Sequence, residues 1–544
     1  MARTELFRAI RRALSEAAFA SERPACVQAL REREAARRDA TPAGRRAFLR
    51  ASLHLGVAAP VLGLTGCLPT AVRRDAAPRA SEPICILGGG VSGLTAAYRL
   101  GQAGLACTVY EGSARLNGRI WTQDRFNDEG MFCELGGELI DSTHADLLAV
   151  ARELAVPTDD FRPDDRGLKR HQFYFGKQRY YDEELTRAAA PLARHLLADM
   201  KQVFDDVKTG IVTYDRHRAG AKMFDRMSLA EYLHGKKDVD RWVLDALDVA
   251  YLGEFGLETS EQSAINLMSL INPDPDEGFG VFGDSDEAMR IRGGNGRLID
   301  ALAIAVRAKN TVELDHQLVK IERAGGGLSL TFLHEGKPKL VRAGCVICTI
   351  PFSVLRELEG VRGLGLSPLK QRFIAEFGYG TNAKRMLGFR SRPWRKAQGA
   401  LPASTAYSFT DLPAQCYWDS SRAQAGTSAV ITNFVGGKAG LSARAPSKSE
   451  LLRDLDAIQP GVSALHDGKV ANAYWIDNPY ARGSYACPKV GQYTTLVGSA
   501  ATDELGGALL FAGEHTSVRY QGYMNGAVQS ANEVVRRLVL NHAR

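Results

Sequence analysis

A chain of 544 residues with 45% hydrophobic and 24% charged residues is too long for one small module and can bury a large core, so two domains are expected. The formal charge is +7, but residues 1–50 hold twelve Arg and six acids, which leaves 57 cations and 56 anions, or +1, for residues 51–544. A body so nearly neutral is not built for a polyanion, and nucleic-acid binding is excluded on that ground.

In chain order, the stretch "GRRAFLR", Gly44 to Arg50, precedes the uncharged run "ASLHLGVAAPVLGLTGC". That run is shorter than the roughly 20 residues a bilayer span needs and contains His54 and Pro60. An arginine pair ahead of a short apolar run reads as a twin-arginine export signal over residues 1–66. Leu64-Thr65-Gly66-Cys67 resembles a lipobox, with Cys67 the cysteine to be acylated. The competing reading is a disordered basic tail with a chance apolar patch. Residues 67–82, rich in Pro, Ala and Arg and without hydrophobic periodicity, suit a tether. The expectation is an exported, membrane-anchored lipoprotein on the periplasmic side, its globular body starting near Pro83.

The body opens with an apolar strand, Ile84 to Leu87, then Gly88-x-Gly90-x-x-Gly93, a helix from Leu94 to about Ala103, and a second strand, Cys107 to Tyr110, ending on Glu111. Glycines there let the backbone turn and approach a pyrophosphate, the helix N-terminus holds its charge, and the acid takes the ribose hydroxyls. Strand, helix, strand and acid in register predict a dinucleotide site rather than a mere tight turn, and the acid favours FAD or NAD over NADP.

The next two segments have no role in a plain NAD fold: Glu111-Gly-Ser-Ala-Arg115-Leu-Asn117-Gly118-Arg119, then Cys133-Glu134-Leu-Gly136-Gly137-Glu138. With these residues the chain resembles the flavin-containing amine oxidase superfamily of monoamine, polyamine and L-amino-acid oxidases. Asn117 replaces the first of a glycine pair, and Asn tolerates left-handed backbone angles better than most residues. The resemblance continues through "IRGGNGRLIDALA", through "HQLVKIER", where Leu318 meets the adenine, and through "CVICTIPFSVL". In the last of these, Cys345-x-x-Cys348 lies in an apolar strand and reads as two buried thiols. No cluster suggests a metal.

The resemblance implies an α/β fold: a Rossmann-like, discontinuous FAD-binding domain (83–147, 286–352 and 484–544) and a mixed α+β substrate domain (148–285 and 353–483). It implies Lys384 as the residue that holds a water against flavin N5, the other reading being a solvated strand lysine. Tyr485 and Tyr523 become the aromatic pair between which an amine reaches the flavin. In "LLFAGEHTSVRYQGYMNGAV", Glu514 takes ribityl hydroxyls and the turn into a helix at Met524 faces the pyrimidine edge. Ser484 stands where monoamine oxidases have the cysteine that binds flavin covalently, so noncovalent FAD is expected, with Cys487 a plain thiol.

The implied activity is FAD-dependent oxidation of an amine to an imine, with dioxygen reduced to hydrogen peroxide. An amino-acid oxidase needs a cation for the carboxylate. "GGELIDSTH" offers Glu138, Asp141 and His144 instead. Glu138 suits either an ammonium ligand, as in di- and polyamine oxidases, or hydrogen bonding around the flavin. Arg482 could still supply the missing cation, which keeps an L-amino-acid oxidase as the alternative. A flavin desaturase or isomerase and a non-catalytic FAD lipoprotein are further rivals, and neither needs Lys384, Tyr485 and Tyr523 together.

Overall fold

The computed structural model describes residues 83–542, apart from 208–209 and 275–278. The export signal, Cys67 and the tether lie outside the described residues. Ile84–Leu87 is wholly apolar and wholly buried, as the central strand of a parallel sheet must be. The sheet runs Leu509–Phe511, Cys345–Cys348, Ile84–Leu87, Cys107–Tyr110, Thr311–Glu313, with all pairs parallel. Its side chains alternate between two cores. Ile84, Ile86, Val109 and Ile347 face helices, whereas Leu87, Tyr110 and Cys348 face an antiparallel sheet through Leu328, Leu330 and Phe332. Tyr110 stacks on Phe332 with ring centroids 4.5 Å apart.

The first helix spans Val91–Gln102 and is capped by Gly90, so it begins three residues before the Leu94 expected from sequence, and Gly93 lies inside its first turn. A Cβ on Gly93 would fall on the Gly88 carbonyl, which is why the helix can pack so closely on the strand end. Asn117 adopts a φ of 109° and Gly118 a φ of 57°, so the turn that replaces a glycine pair does use left-handed geometry. All described cysteines are buried and free. Burial pushes the Cys345 and Cys348 thiols up to about 12.

A seven-stranded sheet runs His466–Tyr474, Ala383–Phe389, Ala429–Val435, Cys416–Asp419, Ser404–Thr410, Lys169–Phe175, Gln178–Tyr181. It is antiparallel except where Ser404–Thr410 pairs with Lys169–Phe175. Its strands come from 148–285 and 353–483, and those of the parallel sheet from 83–147, 286–352 and 484–544. The stretch from Asp182 to Val203 forms two helices, Asp182–Ala188 and Ala190–Val203. Pro191 in the first turn of the second has no N–H to continue the earlier ladder. Helix Arg241–Phe255 ends at Gly256, whose φ of 74° closes it in left-handed geometry. Among the described residues no helix is long and apolar enough to cross a membrane.

Candidate active site

One cavity of about 740 Å³ runs from the glycine turn to the seven-stranded sheet. Its first end is a cradle for a dinucleotide. Gly88, Gly90, Glu111, Arg115 and Arg119 line it; Gly93 does not, because its work is the helix contact. The Glu111 carboxylate accepts hydrogen bonds from the Gly89 N–H at 2.7 Å and from the Ser113 N–H and hydroxyl at 2.9 and 2.8 Å. The first turn of helix Val91–Gln102 carries no acid, and Ser92 Oγ there is buried without a partner at the cavity wall. An orphan hydroxyl at a helix N-terminus, with an acid at the neighbouring strand end, fits the pyrophosphate and ribose of FAD.

Leu318 lines the cradle at its Glu111 end, two residues after His316, whose N–H donates to the Glu111 carbonyl, and beyond the cradle lie Gly136, Gly137, Glu514 and Met524. A Cβ on Gly137 would lie 3.0 Å from the Met524 sulfur, so the two segments meet over a glycine. Arg119 donates to the Ser484 carbonyl and to Glu514, each at 2.8 Å. Glu514 in turn accepts the Gly522 N–H at 2.8 Å, and one buried acid thus fixes the turn from which helix Met524–His542 starts.

At the other end, Lys384 enters from strand Ala383–Phe389. Its ammonium donates to the Glu134 and Gly136 carbonyls at 3.2 and 2.9 Å and to Glu138 at 2.9 Å, and lies 5.1 Å from the centre of the Trp418 ring. Lys384 is therefore not a solvated strand lysine. Glu138 also faces Arg290 at 3.7 Å, and Arg290 is buried, donating to the Ser420 and Arg422 carbonyls. Burial works against the Glu138 charge, but Lys384 and Arg290 outweigh it and hold the carboxyl below the usual range. The Glu138 carboxylate thus answers two protein cations. Asp141 accepts from Ser285 and from the Glu287 N–H and pairs with His144.

Tyr485 and Tyr523 line the same cavity, and both are tied to one helix. The Tyr485 hydroxyl donates to the Gly253 carbonyl at 3.1 Å and that of Tyr523 to Glu254 at 2.8 Å. Around them are Phe282, Tyr407, Phe409, Trp418 and Phe434. Arg482 is exposed and does not line the cavity, whereas Arg519, also exposed, does. Cys487 is buried away from the wall, and Ser484 bonds Asn382 at 2.6 Å.

Sequence reasoning missed Glu254, Glu287 and Arg290. Burial pushes the first two acids up to about 7. Glu254 did leave a signal, being an acid inside the apolar run "VAYLGEFGL". Glu287 and Arg290 left none.

Residues 91–539 match the family model described as flavin containing amine oxidoreductase. The chain is 26% identical over 483 residues to lysine-specific histone demethylase 1 homolog 2 of Oryza sativa subsp. japonica, covering 86% of this chain and 58% of that protein. It is 26% identical over 490 residues to the L-amino-acid oxidase of Siganus canaliculatus, covering 85% of this chain and 86% of that one. The structure of putrescine oxidase bound to putrescine superposes with a TM-score of 0.70 at 18% identity, over 84% of this chain and 99% of that one, and shares its fold. With a family model that runs along most of the chain and a cradle shaped for FAD, this protein belongs to the flavin-containing amine oxidoreductases.

Proposed function

We propose that the chain is an FAD-dependent oxidase of an amine without a carboxylate, giving an imine that water hydrolyses to an aldehyde or ketone. The observation that carries this is the pairing of Tyr485 and Tyr523, hung from adjacent residues of one helix in the cavity that holds the flavin cradle. FAD, when bound, supplies the oxidant for the amine's α-carbon and returns its electrons to dioxygen, giving hydrogen peroxide. The protein's share is to orient and desolvate: the tyrosines leave a slot, and Phe282, Tyr407, Phe409 and Trp418 exclude water around the carbon to be oxidised. Lys384 keeps a fixed positive charge beside Gly136, where it serves the oxygen step.

The amine is favoured over an amino acid because Lys384 and Arg290 are committed to Glu138 and Arg119 to Glu514. Arg519, exposed and on the cavity wall, is the cation on which the L-amino-acid oxidase reading rests. FAD is held without a covalent bond; support comes from Ser484, which has no thiol, and from Cys487, which is off the cavity wall. Export by the twin-arginine route, with a lipid tether at Cys67, is proposed from Gly44–Arg50 and the apolar run after it.

The test is anaerobic mixing of the purified yellow protein with mono-, di- and polyamines and L-amino acids. The flavin band should bleach with amines, and all colour should be released on denaturation. Bleaching by L-amino acids alone, lost in Arg519→Ala, would replace this reading with the amino-acid one.

A further inference from the structure

Two acids at the amine end of the cavity have no cation. Glu254, in the last turn of helix Arg241–Phe255, and Glu287 both line the wall, and among the described residues neither forms an ion pair. Glu287 Oε2 is buried and accepts no hydrogen bond. Glu254 accepts one, from the Tyr523 hydroxyl at 2.8 Å.

Glu287 is held in place at a cost. Its φ of 45° is left-handed, which a residue with a side chain adopts only where its surroundings enforce it. Here Asp141 enforces it, accepting the Glu287 N–H at 2.8 Å and the Ser285 hydroxyl at 2.9 Å. One half-buried residue therefore combines an unfavourable backbone with a carboxylate one of whose oxygens is buried without a partner, and both are unfavourable without a ligand. Burial raises the Glu287 carboxyl; Asp141 and Glu254 add to this, while Arg170 and Arg422 oppose it. Arg170 donates to the Asp286 carbonyl and Arg422 pairs with Asp165, so both have partners of their own.

An aliphatic amine reaches the cavity as an ammonium ion, and the one to be oxidised must first lose a proton. The N–H bond breaks, its electron pair stays on nitrogen, and the proton passes to a carboxylate oxygen. Glu254, joined to Tyr523, stands beside the aromatic pair and is placed to take it. Protonated, Glu254 no longer needs a cation, but Glu287 still does. We propose that Glu287, with Glu254 beside it, binds a second, non-reacting ammonium group, so that the cavity selects diamines or polyamines over monoamines of equal chain length. This rests on the amine-oxidase reading of the same cavity.

The test uses the purified holoprotein without oxygen. The concentrations of 1,4-diaminobutane and 1-aminobutane that half-saturate flavin bleaching are compared. Binding of the same two ligands to dithionite-reduced protein, which cannot oxidise them, is measured by calorimetry. The diamine should bind at least about tenfold more tightly in both measurements, the order expected of one hydrogen bond to a charged group. Glu287→Gln should bring the two ligands within about threefold of each other. A parent protein that does not distinguish them overturns the proposal, and this reading needs no variant to fold. A Glu287→Gln protein that keeps its yellow colour and its full preference overturns it as well. If no amine bleaches the flavin, the oxidase reading fails, yet calorimetry still decides: diamine binding that Glu287→Gln removes supports the site, and no binding overturns it.

Discussion

Lys384 and Glu138 lie 2.9 Å apart with side-chain exposures of 7% and 2%, and Arg290 faces the same carboxylate. Removing one partner of such a group leaves a buried charge without compensation, which costs about 3–5 kcal/mol, whereas removing both can be nearly neutral. Lys384→Met leaves Glu138 with Arg290 alone and should therefore lose up to about that much stability in urea titrations, whereas Glu138→Gln added to it leaves Arg290 without its carboxylate and should restore only part of the loss. A Lys384→Met protein as stable as its parent would show that the pair is not held in solution. Glu254 makes a second prediction. Burial raises its carboxyl to about 7, while the Tyr523 hydrogen bond pulls the other way. The folded state thus holds this proton more tightly than the unfolded chain, and stability falls as pH climbs from about 4.5 through 7. Glu254→Gln has no such proton to lose, so its melting temperature relative to the parent should rise between about pH 5 and pH 8; a constant difference would remove the assignment. Little of this was legible in the sequence. Glu138 stood open between an ammonium ligand and a flavin contact because deciding needed Arg290, which is distant in the chain and belongs to no motif.

The helix Arg241–Phe255 is the element on which the amine end depends. Its last turn presents the Gly253 carbonyl to Tyr485 and the Glu254 carboxylate to Tyr523, and Gly256 then ends it. A Cβ on Gly256 would lie 2.8 Å from the Gly380 Cα and fall on the Asn382 amide oxygen, and the Asn382 side chain itself donates to the Gly253 carbonyl at 2.6 Å. Gly256→Ala should cost more than the roughly 1 kcal/mol of an Ala forced to positive φ and should slow flavin reduction. Gly104, at a φ of 78° with nothing within 4 Å of a Cβ, supplies the control: Gly104→Ala should carry only the backbone cost and leave the reduction rate alone. Equal effects of the two on stability and rate would count against a role for the collision. Apolar periodicity is local, yet it singled out no helix at 241–255 in the sequence. Which neighbour its last turn meets is not local, so an acid in "YLGEFG" could be noticed but not placed.

At the scale of the whole molecule, the cofactor end was readable from spacing, whereas at the amine end Lys384, Tyr485, Tyr523 and Glu138 came only through the family resemblance and Glu254, Glu287 and Arg290 not at all, for one physical reason. Gly88, Gly90, Gly93 and Glu111 act through backbone turns and strand ends a few residues apart, so spacing alone carries their meaning. The amine end is assembled from side chains on the helix at 241–255, the strands of the seven-stranded sheet, and the turns at 287 and 522. Nothing short of the folded chain brings those together.

That assembly also has an order in time. The parallel sheet takes its central strand from residues 84–87 but its edge strand from 509–511, and the turn that Glu514 fixes leads into Met524. A nascent chain emerging from the ribosome has its glycine turn early, yet it lacks the last wall of the cradle until residues 509–524 have been made. Flavin capture therefore waits for the strand at 509–511 and the turn that leads into Met524, and a ribosome stalled before residue 509 is expected to carry a colourless chain whatever the supply of FAD.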